Sequence, residues 1–163
     1  MASSRLPTTS DRSQLMGRVR RSDTAAELLV RQVMRELGVR FQVNPLGLPG
    51  TPDIANKCLK WAIFVHGCFW HAHIHCRRWR IPKNNRDFWT RKFIENKIRD
   101  KRKIDLLLQL GYSVLLVWEC ELENVQKLRE RINAFLEGGI QPRPSGYYFV
   151  RGEKSVFENK KTS

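Results

Sequence analysis

Residues 61–76 of the chain are WAIFVHGCFWHAHIHC, and this stretch carries most of the structural prediction. Its first five residues, Trp61–Val65, form a continuous apolar run of the kind found in strands buried on both faces of a sheet. The eleven residues that follow contain four histidines and two cysteines. We therefore expect a buried strand that ends in a loop rich in metal-binding and proton-transferring side chains.

A βαβ unit is predicted around this strand. A long helix is expected over residues 87–110, followed by a second buried strand over residues 112–118. The strands at 61–65 and 112–118 should then run parallel and end at the same edge of the sheet, where α/β proteins usually place their sites. Cys68 and Cys120 each come just after one of these strands, so we expect them to meet there.

Further elements are expected on both sides of this unit. Thr24 and Glu27 have the spacing of a capping box, which predicts a helix that starts near Asp23. Cys58 precedes the first buried strand and is interpreted as a small core residue. The other predicted elements are a helix end at Gly38, a short strand at 41–43, a strand-like segment from Asp53 and an amphipathic helix at 121–137.

Length and charge limit the class of protein. The chain has 163 residues, enough for one domain, and its 30 Lys and Arg against 16 Asp and Glu give a formal net charge of +14. No apolar run is long enough to span a bilayer, so a polyanion, not a membrane, is the expected partner. We predict a basic arm at residues 1–22, one domain at 23–140 and a tail without an assigned role at 141–163.

Cysteine and histidine occur at the spacing of metal ligands. Cys68, His73 and Cys76 are close in sequence, and Cys120 joins them if the two strands are parallel. Three thiolates and one imidazole suit a closed, tetrahedral, structural zinc site. The spacing leaves His75 as an alternative to His73.

Three acidic residues are candidates for chemistry. Asp53 follows Pro52 in a turn-rich stretch, a position that suits either a turn aspartate or a ligand of Mg²⁺. Asp100 falls on the apolar face of the long helix, four residues before Ile104, and a buried carboxylate needs a partner. A histidine of the 66–76 loop is the natural partner, whereas capping alone would explain Glu27.

Several strings of sequence resemble the very-short-patch mismatch repair (Vsr) endonucleases. The resemblance covers about residues 10–136, and its most specific string is HGCFWH at 66–71. The other matching strings are PGTPD at 49–53, DFW at 87–89, RDKR at 99–102, LGY at 110–112 and VWEC at 117–120.

This resemblance implies a restriction-endonuclease-like α/β fold, with a mixed central sheet flanked by helices and a structural zinc site. It implies a Mg²⁺-dependent enzyme that nicks DNA 5′ to the thymine of a T·G mismatch, the product of 5-methylcytosine deamination. The implied partner is double-stranded DNA with that mismatch, and mismatch-repair proteins are further candidates. We expect a monomer in the bacterial cytoplasm.

The resemblance also implies roles for individual residues. The catalytic set is Asp53, His66, His71, Asp100 and Glu27, with Mg²⁺ on Asp53 and the backbone carbonyl of Val65. The zinc set is Cys68, His73, Cys76 and Cys120. The DNA-contacting set is Met16, Phe69, Trp70 and Trp89. This chain departs from the family in having Val65 where Thr is usual, and in one extra loop residue before Cys76.

Physical chemistry favours a division of labour within these sets. An imidazole held by a carboxylate suits a general base, so His71 with Asp100 is expected to activate water, and His66 to contact the phosphate or the leaving group. Aromatic wedges gain selectivity because unstacking costs least at a mismatch, although Phe69 and Trp70 could simply pack on the zinc loop. Residues 77–103 carry twelve Lys and Arg against three Asp and Glu, which favours phosphate contact.

Two other functions fit the same residues. One is a related nuclease with a different DNA target. The other is a catalytically inactive, zinc-containing DNA-binding module.

Overall fold

The structure is a computed structural model, and it describes residues 22–74 and 76–138. The helices are α1 (Ala25–Glu36), α2 (Arg86–Gln109) and α3 (Val125–Gly138). The strands are β1 (Gln42–Val43), β2 (Ile54–Asn56), β3 (Trp61–His66) and β4 (Ser113–Trp118). Met16, His75 and the predicted tail at 141–163 lie outside the described residues.

The four strands form one mixed sheet in the order β1-β2-β3-β4. β3 and β4 are parallel, in register from Trp61 opposite Ser113 to His66 opposite Trp118. The β1–β2 and β2–β3 pairs are antiparallel. The predicted βαβ unit is therefore confirmed, and β3 and β4 end side by side.

Helices cover both faces of the sheet. Side chains alternate along β3, so that Ile63 faces a cluster with α1 and α3, whereas Ala62 and Phe64 face a cluster with α2. The first cluster includes Val30 and Leu128, and it is the larger of the two. This layering holds α2 against the same edge of the sheet at which β3 and β4 end.

Local sequence signals explain where the helices begin and end. The backbone N–H of Glu27 donates to Thr24 Oγ1 at 3.3 Å, so Thr24 caps α1, and the Thr24 hydroxyl donates to Glu27 Oε1 at 3.0 Å. The reciprocal half of the predicted capping box differs, because the Glu27 carboxylate accepts from the backbone N–H of Asp23 and not from that of Thr24. After α2, Gly111 has a φ of +79°, and the N–H of Tyr112 donates to the Leu107 carbonyl at 3.0 Å. This turn ends α2 and directs the chain into β4.

Two predictions from the sequence are wrong. The last helix does not begin at residue 121, because Glu119–Glu123 forms a 3₁₀ turn and α3 starts at Val125. Cys58 is exposed, because it lies in the turn between β2 and β3 and not in the core. Among the described helices, none has both the length and the apolar character needed to cross a membrane.

Candidate active site and metal centre

A cleft of about 230 Å³ opens beside the carboxyl end of β3, where β2 begins. Because β2 and β3 are antiparallel, the start of β2 lies beside the end of β3, and Asp53 is brought next to Val65. The α2 side of the cleft contributes Asp100. All five candidate catalytic residues line this one cleft, together with Val65: Glu27, Asp53, His66, His71 and Asp100.

Asp53 is a largely buried carboxylate in this cleft. Its Oδ2 accepts a hydrogen bond from the backbone N–H of Val65 at 2.7 Å. The pKa of Asp53 is raised to about 6. Burial is the main cause, the Val65 hydrogen bond opposes it, and the nearby charge of Glu27 acts in the same direction as burial. The ionised carboxylate is thus held where its charge is poorly solvated, which favours a bound cation.

His66 and His71 stack on each other, with ring centroids 3.8 Å apart and planes at 14°. His71 Nδ1 lies 2.5 Å from Asp100 Oδ2. An ionised carboxylate only accepts hydrogen bonds, so Nδ1 carries the proton of this contact and Nε2 is the ring atom left for proton transfer. The predicted pairing of Asp100 with a histidine is confirmed.

The electrostatic setting differs between these groups. The pKa of His66 is lowered to about 3, mainly by burial and to a lesser extent by the neighbouring charge of His71. His66 is therefore neutral in the folded protein. Burial acts to raise the pKa of Asp100, but the hydrogen bond and charge of His71 outweigh it, and the pKa is lowered overall. Asp100 therefore remains an anion beside His71.

Glu27 has a structural role as well as a place in the cleft. Its Oε2 accepts from the N–H of Asp23 at 2.9 Å and from Arg31 Nη2 at 3.0 Å. Arg31 is buried and also binds Asp23 through Nη1 at 2.5 Å. The cap and this ion pair hold the Glu27 carboxylate in a fixed position at the rim.

A second cluster lies just beyond the ends of β3 and β4. Ligand atoms of four side chains all lie within 4.8 Å of one another: Cys68, His73, Cys76 and Cys120. His73 Nδ1 is 3.6 Å from Cys68 Sγ and 3.4 Å from Cys120 Sγ. The parallel strands bring Cys68 and Cys120 together as predicted, and the four side chains could hold one metal ion.

Neighbouring residues fix this cluster in place. The His73 ring stacks on Trp118, with centroids 4.1 Å apart and planes at 6°. Arg78 binds Glu119 at 3.3 Å and Glu123 at 2.8 Å, which ties the loop to the 3₁₀ turn. Burial raises the pKa of the Cys68 and Cys120 thiols, so ionising these two thiols is unfavourable unless a cation is present.

Aromatic side chains form a third group beside the cleft. Phe69 lies 5.2 Å from Trp70, 5.3 Å from Trp89 and 5.5 Å from Phe93, measured between ring centroids. Asn96 Nδ2 donates to the Trp70 carbonyl at 2.8 Å, which holds the loop on α2. Phe69, Trp70 and Trp89 are all half-buried, so three of the four residues expected to contact DNA lie together and keep part of their surface exposed.

Sequence reasoning missed three residues that the structure places at the site. Thr51 and Lys103 line the cleft, and Arg31 fixes Glu27. Lys103 lies three residues after Asp100 on the same helix. Residues at this spacing share a helix face, and this was the sequence pattern that could have indicated Lys103 as a site residue.

The chain is similar in sequence to several known proteins. A family model described as DNA mismatch endonuclease Vsr matches residues 6–78. The chain is 40% identical to type II nicking enzyme V.XorIIP of Xanthomonas oryzae, over 77% of this chain and 92% of that protein. It is also 40% identical to DNA mismatch endonuclease Vsr of Escherichia coli, over 73% of this chain and 76% of that protein.

One solved structure shares the fold. It is the homing endonuclease I-Bth0305I catalytic domain, with a TM-score of 0.50 and 22% identity, over 73% of this chain and 100% of that chain. This likeness concerns the fold alone, and it confirms the restriction-endonuclease-like prediction.

Proposed function

The chain belongs to the Vsr family of DNA mismatch endonucleases, and we propose that it hydrolyses one strand of DNA 5′ to the thymine of a T·G mismatch with Mg²⁺ as cofactor. The observation that carries this proposal is the single cleft that holds Asp53 beside a stacked histidine pair and the Asp100 carboxylate. A carboxylate for a metal ion and an oriented imidazole for water are the groups that phosphodiester hydrolysis requires.

The donor set fits a hard divalent cation. The buried Asp53 carboxylate and the backbone carbonyl of Val65 would hold Mg²⁺, and oxygen donors are the ligands it prefers. When bound there, the ion would neutralise charge on the phosphate oxygens. Glu27, fixed by its cap and by Arg31, is proposed to act in the outer shell of this site.

The remaining chemistry is assigned to the histidine pair. His71 Nε2 accepts the proton of the attacking water, and Asp100 holds the ring in the tautomer that allows this. His66 is neutral and stacked on His71, so it contacts the phosphate or the leaving oxygen as a neutral group.

The second cluster is proposed to be a structural Zn²⁺ site. Three thiols and one imidazole match one of the closed four-ligand sets of structural zinc sites, and the cluster joins the ends of β3 and β4. His73 is proposed as the histidine ligand, a choice supported by the contacts of its Nδ1 with Cys68 Sγ and Cys120 Sγ. Because Cys68 lies two residues after His66 and three before His71, zinc binding would also fix both candidate catalytic histidines.

Mismatch recognition is assigned to the aromatic cluster. Phe69, Trp70 and Trp89 are proposed to wedge into the base stack, and Met16 to enter from the opposite groove. Unstacking costs a few kcal/mol per step and least at a mismatch, so a wedge without base-specific contacts still gains selectivity. The ring contacts with Phe93 brace the wedge on α2.

The net charge of +14 is proposed to supply binding to the DNA phosphates that does not depend on the base sequence. We expect the protein to act as a monomer on nucleoid DNA in the cytoplasm. Mismatch-repair proteins are proposed as further partners.

Asp53→Asn tests whether the cleft is catalytic. Loss of a metal ligand should lower nicking of a T·G duplex by roughly a thousandfold, since several kcal/mol of charge stabilisation disappear. Binding of the duplex, measured by fluorescence anisotropy, should change by less than about threefold, because the phosphate grip remains. The matched control is Glu130→Gln on α3, outside the cleft lining. Undiminished nicking by Asp53→Asn would refute the assignment of the cleft.

A further inference from the structure

Lys103 is the one lysine or arginine among the eleven described residues that line the candidate catalytic cleft. It lies on α2 three residues after Asp100, so the two side chains share a helix face. The sequence places it at the end of the basic segment 77–103, where it is indistinguishable from residues that contact DNA generally. Its position in the cleft lining distinguishes Lys103 from the other basic residues of this segment.

The stem of Lys103 is held by an unusual backbone contact. Gly50 has a φ of +76°, and a β-carbon added there would lie 2.7 Å from Cβ and Cγ of Lys103 and 2.8 Å from Cδ. The first three carbons of the side chain therefore run along bare glycine backbone, an approach that only glycine permits. This contact restricts the stem before any ligand binds, which lowers the entropy cost of placing the ammonium group.

The charges around Lys103 point to a phosphate as its ligand. The cleft lining contains three carboxylates, those of Glu27, Asp53 and Asp100, and each has other bonding partners. None of the ion pairs between described residues includes Lys103. The nearby cation Arg31 lies outside the lining and is bound to Asp23 and Glu27. Lys103 thus places a cationic side chain within the lining, whereas Arg99 lies outside it, with Nε 3.9 Å from Asp100 Oδ1.

We propose that Lys103 is a further catalytic residue, whose ammonium group contacts a non-bridging oxygen of the scissile phosphate. During hydrolysis the bond from the water oxygen to phosphorus forms and the bond to the leaving sugar oxygen breaks. Negative charge grows on the oxygens around phosphorus, and a fixed ammonium group stabilises it. Lys103 transfers no proton, since the water proton goes to His71. This inference rests on the proposed nicking function.

The test compares three variants with the wild-type protein on a duplex with one T·G pair. Lys103→Met removes the charge but keeps a stem that can lie on Gly50, and Lys103→Arg keeps the charge. Lys127→Met is the matched control, because Lys127 is exposed on α3 and outside the cleft. Three quantities are measured: the single-turnover nicking rate constant at saturating protein, the duplex affinity and the midpoint of thermal unfolding.

Lys103→Met should lower the rate constant about ten- to a hundredfold, with affinity within about threefold and the unfolding midpoint within about 2 °C of wild type. The rate constant of Lys103→Arg should be at least about fivefold higher than that of Lys103→Met. A role of Lys103 in packing alone would not give this difference, because the two variants differ in charge. A Lys103→Met rate constant within about twofold of wild type would overturn the inference, as would an equal loss in Lys127→Met or a loss in affinity alone. Wild-type nicking in the same assay upholds the proposed function in each of these cases, whereas its absence refutes that function first.

Discussion

Replacing Asp53 by Asn should stabilise the protein at neutral and alkaline pH when no Mg²⁺ is present. Asp53 is buried next to Glu27, and burial raises its pKa from 3.8 to about 6. Folding therefore opposes its ionisation. In the absence of a cation, the charged side chain lowers the free energy of unfolding. Asparagine has nearly the same shape and can still accept the hydrogen bond from the Val65 N–H, but it carries no charge.

The size of this effect follows from the pKa shift. A rise from 3.8 to about 6 is roughly two pKa units, and each unit corresponds to about 1.4 kcal/mol. Residual solvation of the carboxylate and the weaker acceptor in Asn reduce the gain, so we expect about 2 kcal/mol in favour of Asp53→Asn. Because the pKa is raised on folding, the folded state binds more protons than the unfolded state between these values. The gain should be small near pH 4, grow up to about pH 6 and stay constant above it.

The assay is urea unfolding of both proteins between about pH 4 and pH 8, without added divalent cation and without a chelator that would remove zinc. The difference between the two proteins isolates Asp53, because His66 contributes equally to both. Glu130→Gln, the same change of acid to amide on exposed α3, should differ from wild type by less than about 0.5 kcal/mol. Added Mg²⁺ should stabilise wild type alone and narrow the gap. An Asp53→Asn protein that is no more stable than wild type at pH 8, or a gap independent of pH, would refute the reasoning.

Three further predictions address the metal cluster, the histidine pair and the DNA grip. Cys120→Ser should lose zinc by elemental analysis and lower the unfolding midpoint, while Cys58→Ser, which alters an exposed thiol outside the cluster, should do neither. Asp100→Asn should lower the single-turnover nicking rate about a hundredfold or more, because the neutral amide can also donate to His71 Nδ1 and so no longer fixes its tautomer, whereas Asp105→Asn on the same helix should stay within about threefold. Raising salt from about 50 to 200 mM should weaken duplex affinity by at least about a hundredfold while the preference for T·G over T·A stays within about twofold. A preference that fell together with affinity would show that the basic residues, not the aromatic wedge, carry the specificity.

The parts of the fold that could be predicted from sequence are those set by local pattern. The apolar runs at 61–65 and 112–118, with a long helix between them, were sufficient to predict that these two strands pair in parallel. That pairing in turn predicted the meeting of Cys68 and Cys120, more than fifty residues apart. Asp100 was identifiable because a carboxylate on the apolar face of a helix needs a partner.

The features that were missed depend on contacts between distant segments. Lys103 becomes part of the cleft only because the turn at Gly50 leaves room for its stem, and nothing within α2 itself indicates that turn. Arg31 has an ordinary place in α1 until Asp23 and Glu27 converge on it. The late start of α3 reflects the 3₁₀ turn Glu119–Glu123, which brings Cys120 to Cys68 and His73 from distant parts of the chain.

The most direct test of the proposed function uses a duplex with one T·G pair, labelled separately on each strand, and its T·A counterpart. With Mg²⁺ present, the wild-type protein should cut the thymine strand of the T·G duplex on the 5′ side of the thymine and leave the other strand intact. The T·A duplex should be cut at least about a hundredfold more slowly, since unstacking a matched step costs a few kcal/mol more. Equal cutting of the two duplexes, or cutting of both strands, would contradict the account.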